Sequence, residues 1–388
     1  MINNENIVTN ENKSGHEKRN VPTLRFKTFE QKWEYSTIGE CSISLEYGMN
    51  ATAIKYDGKH KYIRITDIDE ETSAFIPNPL SSPDGELEEK YLVKENDILF
   101  ARTGASVGKS YLYNNNDGEL YFAGFLIRAR IKSEYNGAFI YYQTKSKKYD
   151  RWVKLTSMRS GQPGINSQEY SSYPIALTSK DEQDKIADFL QLLDNRISVQ
   201  NKIISKYETL IKGLCDRVFR HNKSIRLSDL VKCRTSTLQE SDIVKYCDGE
   251  YKVFGASGVI ATVDKYQFDR SGILVLKDGS NAGKVQFASG KYSVIGTSVV
   301  LIPNDVNDAK FLYFALLAKR FDKYKVGSGI PHIYFKDYSN EQIYYPEATL
   351  RERIIKTLSC YETKVEIEKE MLSALQKQKT FLLQSMFI

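Results

Sequence analysis

Two stretches of this chain carry one heptad seam, 168 residues apart. From Asp181 to about Phe219 apolar side chains stand at Ile186, Leu190, Leu193, Ile197, Ile204, Tyr207, Ile211, Leu214 and Val218, with Gln200 as the polar interruption. From Leu350 to the C-terminus the same positions fall on Ile354, Leu358, Tyr361, Val365, Leu372, Leu375, Leu382 and Met386, and the polar interruptions are Glu368 and Lys379. Steps of four and three over nearly five repeats predict long helices packed through a coiled-coil seam. Some forty residues at 1.5 Å each give a rod of roughly 60 Å. The plainer alternative is two amphipathic helices buried separately, although a helix on a globular core rarely keeps heptad register so long.

The segments ahead of each helix echo one another. "DILFARTGASVGKS" (97–110) parallels "GILVLKDGSNAGKV" (272–285), and "YFAGF" (121–125) parallels "SVIGT" (293–297). "FIYYQTKSKKYDRW" (139–152) parallels "FLYFALLAKRFDKY" (311–324), and "SGQPGI" (160–165) parallels "SGIPHI" (328–333). The chain is a tandem repeat of globular domain and long helix. The expected divisions are a disordered polar tail (1–20), a first domain (21–180), a first spacer helix (181–220), a second domain (221–349) and a second spacer helix (350–388). The fold class is mixed α/β, two domains separated by two long antiparallel coiled-coil helices with pseudo-two-fold symmetry. Runs such as "KYIRITDI", "DILFA", "GILVL" and "SVVLI" read as strands. One basic helix is expected late in each domain, near 138–154 and 309–325, and "PNPLSSPDG" (77–85) reads as a surface loop.

Charge is segregated. Between Asp67 and Asp97 ten acids face two lysines, net −8; between Arg128 and Arg159 nine bases face two acids, net +7; between Lys277 and Lys336 nine bases face four acids, net +5. Such basic concentrations suit a polyanion, and the bland alternative is a solvated face. The five cysteines are scattered, no CxxC occurs and the four histidines stand apart, so neither a zinc site nor a disulfide framework is expected. No run of 18 apolar residues occurs, and the polar N-terminus is no signal peptide. A cytoplasmic protein with no membrane association is expected.

"RTGASVGKS" (102–110) looks like a phosphate loop, but Gly104 and Gly108 enclose three residues where that loop needs four. In the second copy the hydroxyl that would meet a metal becomes Val285. What remains is a glycine turn, plain or facing a DNA phosphate through its lysine and amides. "PDGELEEK" (83–90) holds the pieces of a nuclease motif, yet three residues part Asp84 from Glu88 in one acidic loop. No Pro-Pro occurs for an amino-methyltransferase motif, and no triad signal is present. The chain carries no catalytic constellation.

Two related, non-identical domains held by rigid helices suggest a caliper on a long polyanion, in which the rod fixes the distance between two different half-sites. The chain resembles the specificity (S) subunit of Type I restriction-modification systems over nearly everything after the tail. The residues that carry the likeness are "PTLRFKTFEQKWE" (22–34), "YIRITDID" (62–69), the "RTG…GK" turn, "SGQPGIN" (160–166), "DEQDKIADFLQLLDNRI" (181–197) and "YKVFGASGVIATVDKY" (251–266). The first spacer start, "ALTSKDEQ", departs from the family by lacking Pro-Pro, and the second, "LRERI", also lacks Glu-Gln. The resemblance implies two target-recognition domains and no catalysis or cofactor in this chain. It implies double-stranded DNA as partner, with two methyltransferase (M) subunits using S-adenosylmethionine and two restriction/translocase (R) subunits using ATP and Mg.

Base edges need donors and acceptors, while Lys and Arg on phosphates fix register. The candidates in the first domain are Arg64, Arg102, Thr103, Ser106, Lys109, Lys154, Arg159, Gln162 and Asn166. In the second they are Lys252, Ser257, Lys277, Ser280, Asn281, Lys284, Lys325, Ser328 and His332. The seam residues should hold the spacers together, and the outer faces of the helices are candidates for M-subunit docking. The rivals are a phosphate-loop nucleotide-binding enzyme and a coiled-coil interaction protein without nucleic acid.

Overall fold

A computed structural model describes residues 7–9, 20–220, 224–243, 249–327 and 329–388 of the chain. Most of the tail, Cys247 and Ser328 lie outside the described residues. Within the tail, Ile7–Thr9 pairs antiparallel with Leu24–Phe26. The expectation of a wholly disordered tail is corrected there, because this β-branched triplet finds a strand edge to pair with.

The chain divides into two compact units, Met1–Ser198 with Ser373–Ile388, and Val199–Leu372. Each contains one globular domain and part of both long helices. The first domain is built on an antiparallel sheet in the order Ser42–Tyr47, Leu126–Ile131, Asp97–Ala101, Ser110–Leu112. The second repeats the order with Val231–Thr235, Ser298–Pro303, Gly272–Leu276 and Val285–Ala288. "DILFA" and "GILVL" are central strands buried along their whole length, which is why both read as continuous runs and not as alternation. A short parallel pair accompanies each sheet, Lys61–Ile63 with Leu120–Phe122 and Tyr251–Gly255 with Tyr292–Val294.

Three local expectations change. The basic segment of the first domain is two helices, Gly137–Gln143 and Lys147–Thr156. Ser146 breaks the run by capping the second with its side chain, which accepts from the Tyr149 amide (3.3 Å). In the second domain a helix at Ala309–Leu317 gives way to a single 3-10 turn at Phe321–Tyr324. Part of the expected loop at 77–85 is a strand, Ser81–Asp84 on Thr52–Lys55, tied in by Ser82 Oγ donating to the His60 carbonyl (2.6 Å).

The long helices run Lys180–Val218 and Ala348–Ser385. In the first unit Ile186, Leu190, Leu193 and Ile197 are buried, as are Leu375, Leu382 and Met386, and Lys379 pairs with Asp194 (2.6 Å). In the second unit Ile204, Ile211, Leu358 and Val365 are buried, with Tyr207, Leu214, Val218, Ile354, Tyr361 and Leu372 packed around them. There Gln200 donates to the Glu368 carbonyl (3.0 Å) and to its carboxylate, so the two polar interruptions answer one another. The seam core of this unit is continuous with the core of its globular domain, through Cys215, Phe219 and Phe311. Among the described residues no helix is long and apolar enough to cross a membrane.

Candidate nucleic-acid interface

The two glycine turns are one construction built twice. Each joins adjacent antiparallel strands, whereas a nucleotide-binding phosphate loop joins a strand to a helix. In the first turn Gly104 and Gly108 hold φ of +78° and +87°; in the second Gly279 and Gly283 hold +91° and +89°, the left-handed region where glycine carries no Cβ penalty. The amides of Val107, Gly108 and Lys109 donate to the carbonyls of Gly104, Ala101 and Ser106 (3.0–3.1 Å). Those of Ala282, Gly283 and Lys284 donate to Gly279, Leu276 and Asn281 (2.7–2.9 Å). Amides engaged within the turn cannot cradle a nucleotide, so the phosphate-loop alternative fails on backbone geometry as well as on spacing.

A proline loop is clipped to each turn. Gly104 donates to the Pro163 carbonyl and Gly279 to that of Pro331, both at 3.0 Å. Ile165 donates to Arg102 and Ile333 to Lys277, both at 2.9 Å. Thus 162–165 and 330–333, nearly sixty residues from one turn and about fifty from the other in sequence, form the turns' second wall.

Several candidates stand around the first turn. Arg102 lies over the Tyr47 ring at 4.8 Å, Thr103 bridges to Gly164, Ser106 is half-buried within the turn, and Gln162 is exposed beside Gly104. Lys154 is exposed in the last turn of its helix, with no ion pair among the described residues. Three others are committed elsewhere, against expectation. Arg64 holds Asp67 with two bonds (2.7 and 2.8 Å). The Asn166 side chain caps the helix Ser167–Ser171 in a capping box with Glu169. Lys109 is only 10% exposed, its ammonium bound to the Ile68 carbonyl (2.9 Å) and the Glu70 carboxylate. A cation so engaged is not free for a phosphate. Arg159 pairs with Glu169 and donates to the Thr156 carbonyl (2.8 Å), yet remains exposed.

In the second domain Ser280, Asn281 and Lys284 are exposed on the turn, and Lys284 has no ion pair among the described residues. Lys277 is half-buried beside Asp278 (3.8 Å), which also holds His332 Nδ1 (2.8 Å). Lys325 pairs with Asp322 (2.7 Å). Ser257 is exposed at the tip of the hairpin Tyr251–Gly255/Gly258–Val263. Gln286 ties that tip to the strand leaving the turn by donating to the Gly255 carbonyl (2.9 Å). Lys252 is exposed farther along the same hairpin.

The structure adds residues that single-residue reading passed over. Lys147, Lys148 and Arg151 are exposed on the helix that carries Lys154, without ion pairs among the described residues; their signal is the charge excess of 128–159. Tyr47 supports Arg102 and accepts from the Ser167 amide (3.2 Å); with more than fifty residues between them, no local pattern announces it. The nuclease-like acids do not converge: Asp84 ends a strand, and Glu88 is exposed and pairs with Lys90 (2.8 Å). Among the described residues no group of three or more His, Cys, Asp or Glu is placed to hold a metal.

A family model of the Type I restriction modification DNA specificity domain matches the chain twice, over residues 30–209 and 220–377. The chain belongs to that family. It is a non-catalytic specificity subunit, and its role is recognition of DNA sequence. The Type I restriction enzyme MjaVIII specificity subunit of Methanocaldococcus jannaschii is 29% identical over 340 residues, covering 74% of this chain and 77% of that protein. The S subunit of the Type I system of M. genitalium has the same fold, with a TM-score of 0.62 at 18% identity over 95% of this chain and 99% of that one. A chain from a structural study of complex assembly in the Type I system matches with a TM-score of 0.51 at 15% identity, over 90% and 96%.

Proposed function

We propose that this specificity subunit reads an asymmetric, bipartite site in double-stranded DNA, one half with each domain, and holds two M and two R subunits around it. The target-recognition domains are residues 21–180 and 221–349, and the spacers 181–220 and 350–388 set the gap between half-sites. S-adenosylmethionine, ATP and Mg belong to the partner subunits, and the assembly works in the cytoplasm.

The observation that carries this proposal is the pair of matched turns with unmatched side chains. Arg102, Thr103, Ser106 and Gln162 surround the first, while Lys277, Ser280, Asn281 and Lys284 surround the second. One backbone presenting two sets of donors and cations suits two different base sequences. For M-subunit docking the support is a second, outward apolar stripe on each helix: Leu192, Val199 and Leu210 on one, Ile367, Met371 and Phe381 on the other, all exposed.

Mapping methylated adenines across the genome with and without this gene tests the proposal. The expected result is a split motif with two different halves that disappears with the gene. A single contiguous symmetric motif would overturn the bipartite assignment. DNA retention that ignores salt would overturn the phosphate contacts.

A further inference from the structure

Large aliphatic side chains stand exposed on the loop clipped to the glycine turn in both domains; by the repeat Met158 corresponds to Val326, itself exposed, and Ile330 to Gln162. In the first domain the Gly164 amide closes that loop on the Ser157 carbonyl (3.2 Å). Met158 projects from it with 69% of its surface exposed, and Leu155, in the turn of helix before it, is exposed as well. In the second domain Val326 and His332 exchange backbone bonds (2.9 and 2.8 Å) to close the loop, and Ile330 projects with 64% exposed. Lys154 and Arg159 flank the first patch in sequence, Arg159 paired with Glu169; Lys325, paired with Asp322, lies before the second, and Lys284 lies in the clipped turn.

A solitary exposed aliphatic residue needs no explanation. Here both clipped loops carry such residues, each loop is held to its turn by two backbone hydrogen bonds, and each adjoins a lysine without an ion pair among the described residues, Lys154 in the preceding helix or Lys284 in the clipped turn. Against phosphate oxygens such a side chain gains nothing. In the major groove the bases present one apolar group, the C5-methyl of thymine. We infer that Met158 and Ile330 are specificity-determining residues, each pressing on a thymine C5-methyl in its own half-site. Lys154 and Lys284, without ion pairs among the described residues, fix the register on the phosphates, and the aliphatic tips discriminate by expelling water from one methyl. This inference rests on the DNA-reading role proposed above.

The test uses the full chain co-purified with its methyltransferase partners and a duplex carrying the mapped site. Both side chains are exposed, so Met158→Ser and Ile330→Ser leave the core intact. Each is expected to weaken binding to the mapped site by about tenfold while non-specific binding and the salt slope stay unchanged. Met158→Leu keeps most of the affinity. Replacing the contacted thymine by uracil reproduces the Met158→Ser loss and adds nothing to it in that variant. Unchanged affinity, an equal loss on unrelated duplex, or no effect of uracil at any thymine of the site would overturn the inference. A wild-type complex with no preference for the mapped site would sink the DNA-reading proposal itself, which is a different outcome.

Discussion

The two glycine turns share every backbone hydrogen bond and both positive-φ glycines, yet they use their lysines in opposite ways. Lys109 is folded back onto Ile68 and Glu70, whereas Lys284 points to solvent with no ion pair among the described residues. The cause lies outside the turn. Glu70 belongs to the acidic stretch 67–97, net −8, which the second domain lacks. Backbone geometry is set by the glycines and the clip; the destination of a flexible cation is set by whichever carboxylate comes within reach. Matching motifs therefore fix shape and leave chemistry open.

The largest expected effect separates the inner from the outer glycines. A Cβ on Gly108 would meet Val153 Cγ1 at 2.5 Å, and one on Gly283 would meet Phe321 Cβ at the same distance, both at positive φ. Gly108→Val and Gly283→Val each combine backbone strain with overpacking, and should destabilise by about 2–6 kcal/mol. At Gly279 nothing stands within 4 Å of the added carbon. Gly279→Ala therefore carries strain alone, about 1–2 kcal/mol. Denaturant unfolding ranks them, and equal losses at Gly279 and Gly283 would break the distinction.

The helix starts differ in the sign of their buried charge. Glu182 in the first helix is fully buried and receives two bonds from Arg25 (2.7 Å each), one from Trp33 Nε1 (3.3 Å) and one from Thr178. The second helix instead offers Arg351 to Asp308 (2.8 Å), which Tyr345 also holds. Removing one partner of a buried pair strands the other charge. Arg25→Ala should cost about 3–5 kcal/mol on that ground. Arg351→Ala should cost less, about 1–3 kcal/mol, since its guanidinium is nearer solvent and also donates to the Pro346 carbonyl (2.7 Å). Thermal unfolding of the two variants measures the gap, and a larger loss at Arg351 would reverse the ranking.

For the turn lysines the readout is salt. Lys284→Ala should lower the slope of log affinity against log salt by about 0.9, the share of a single neutralised phosphate. Lys109→Ala should leave the slope alone and lower stability by at most about 1 kcal/mol, because Glu70 is well exposed. Equal changes in slope would mean that Glu70 releases Lys109 to the DNA.

Mixed α/β class was legible because strong periodic signals are local: continuous runs for "DILFA" and "GILVL", and 3.5-residue periodicity for the helices. Segments settled by tertiary contact were not. Ser81–Asp84 looks like loop by its Pro, Ser and Gly content, but Thr52–Lys55 gives it a partner. The helical stretch near 138–154 is continuous in apolar pattern, and a single capping serine divides it. In the interface the glycines announce the turns, since φ above zero selects that residue type. The fates of Lys109, Arg64 and Asn166 were illegible. Each depends on a partner's position, or on a choice between capping and reading that residue type leaves open.

The last expected effect concerns a lysine that only the first domain has. In the aligned segments Lys145 stands where the second domain has Leu317. Its ammonium donates to Ser73 Oγ (2.8 Å) and the Ser110 carbonyl (3.0 Å) and lies over the Tyr141 ring at 4.5 Å. Burial first, and then the charge of Lys379, pushes it down to about 7, with Lys109 acting the same way and Asp194 and Asp150 opposing. Below pH 7 both folded and unfolded chains carry this proton, and the folded state bears the full cost of burying it. As pH rises from about 7 towards the ordinary lysine value of 10.5, the unfolded chain keeps a proton that the folded chain has lost, so stability rises. Lys145→Leu, the second domain's own residue, should remove that rise and bring its largest relative gain below pH 7. The buried tyrosines and cysteines are common to both proteins, so their titration cancels in the difference. Denaturant unfolding of wild type and variant at pH 6.5 and pH 9 reads the result. Parallel curves would mean that water reaches the Lys145 ammonium, and that this position differs from Leu317 in name more than in energy.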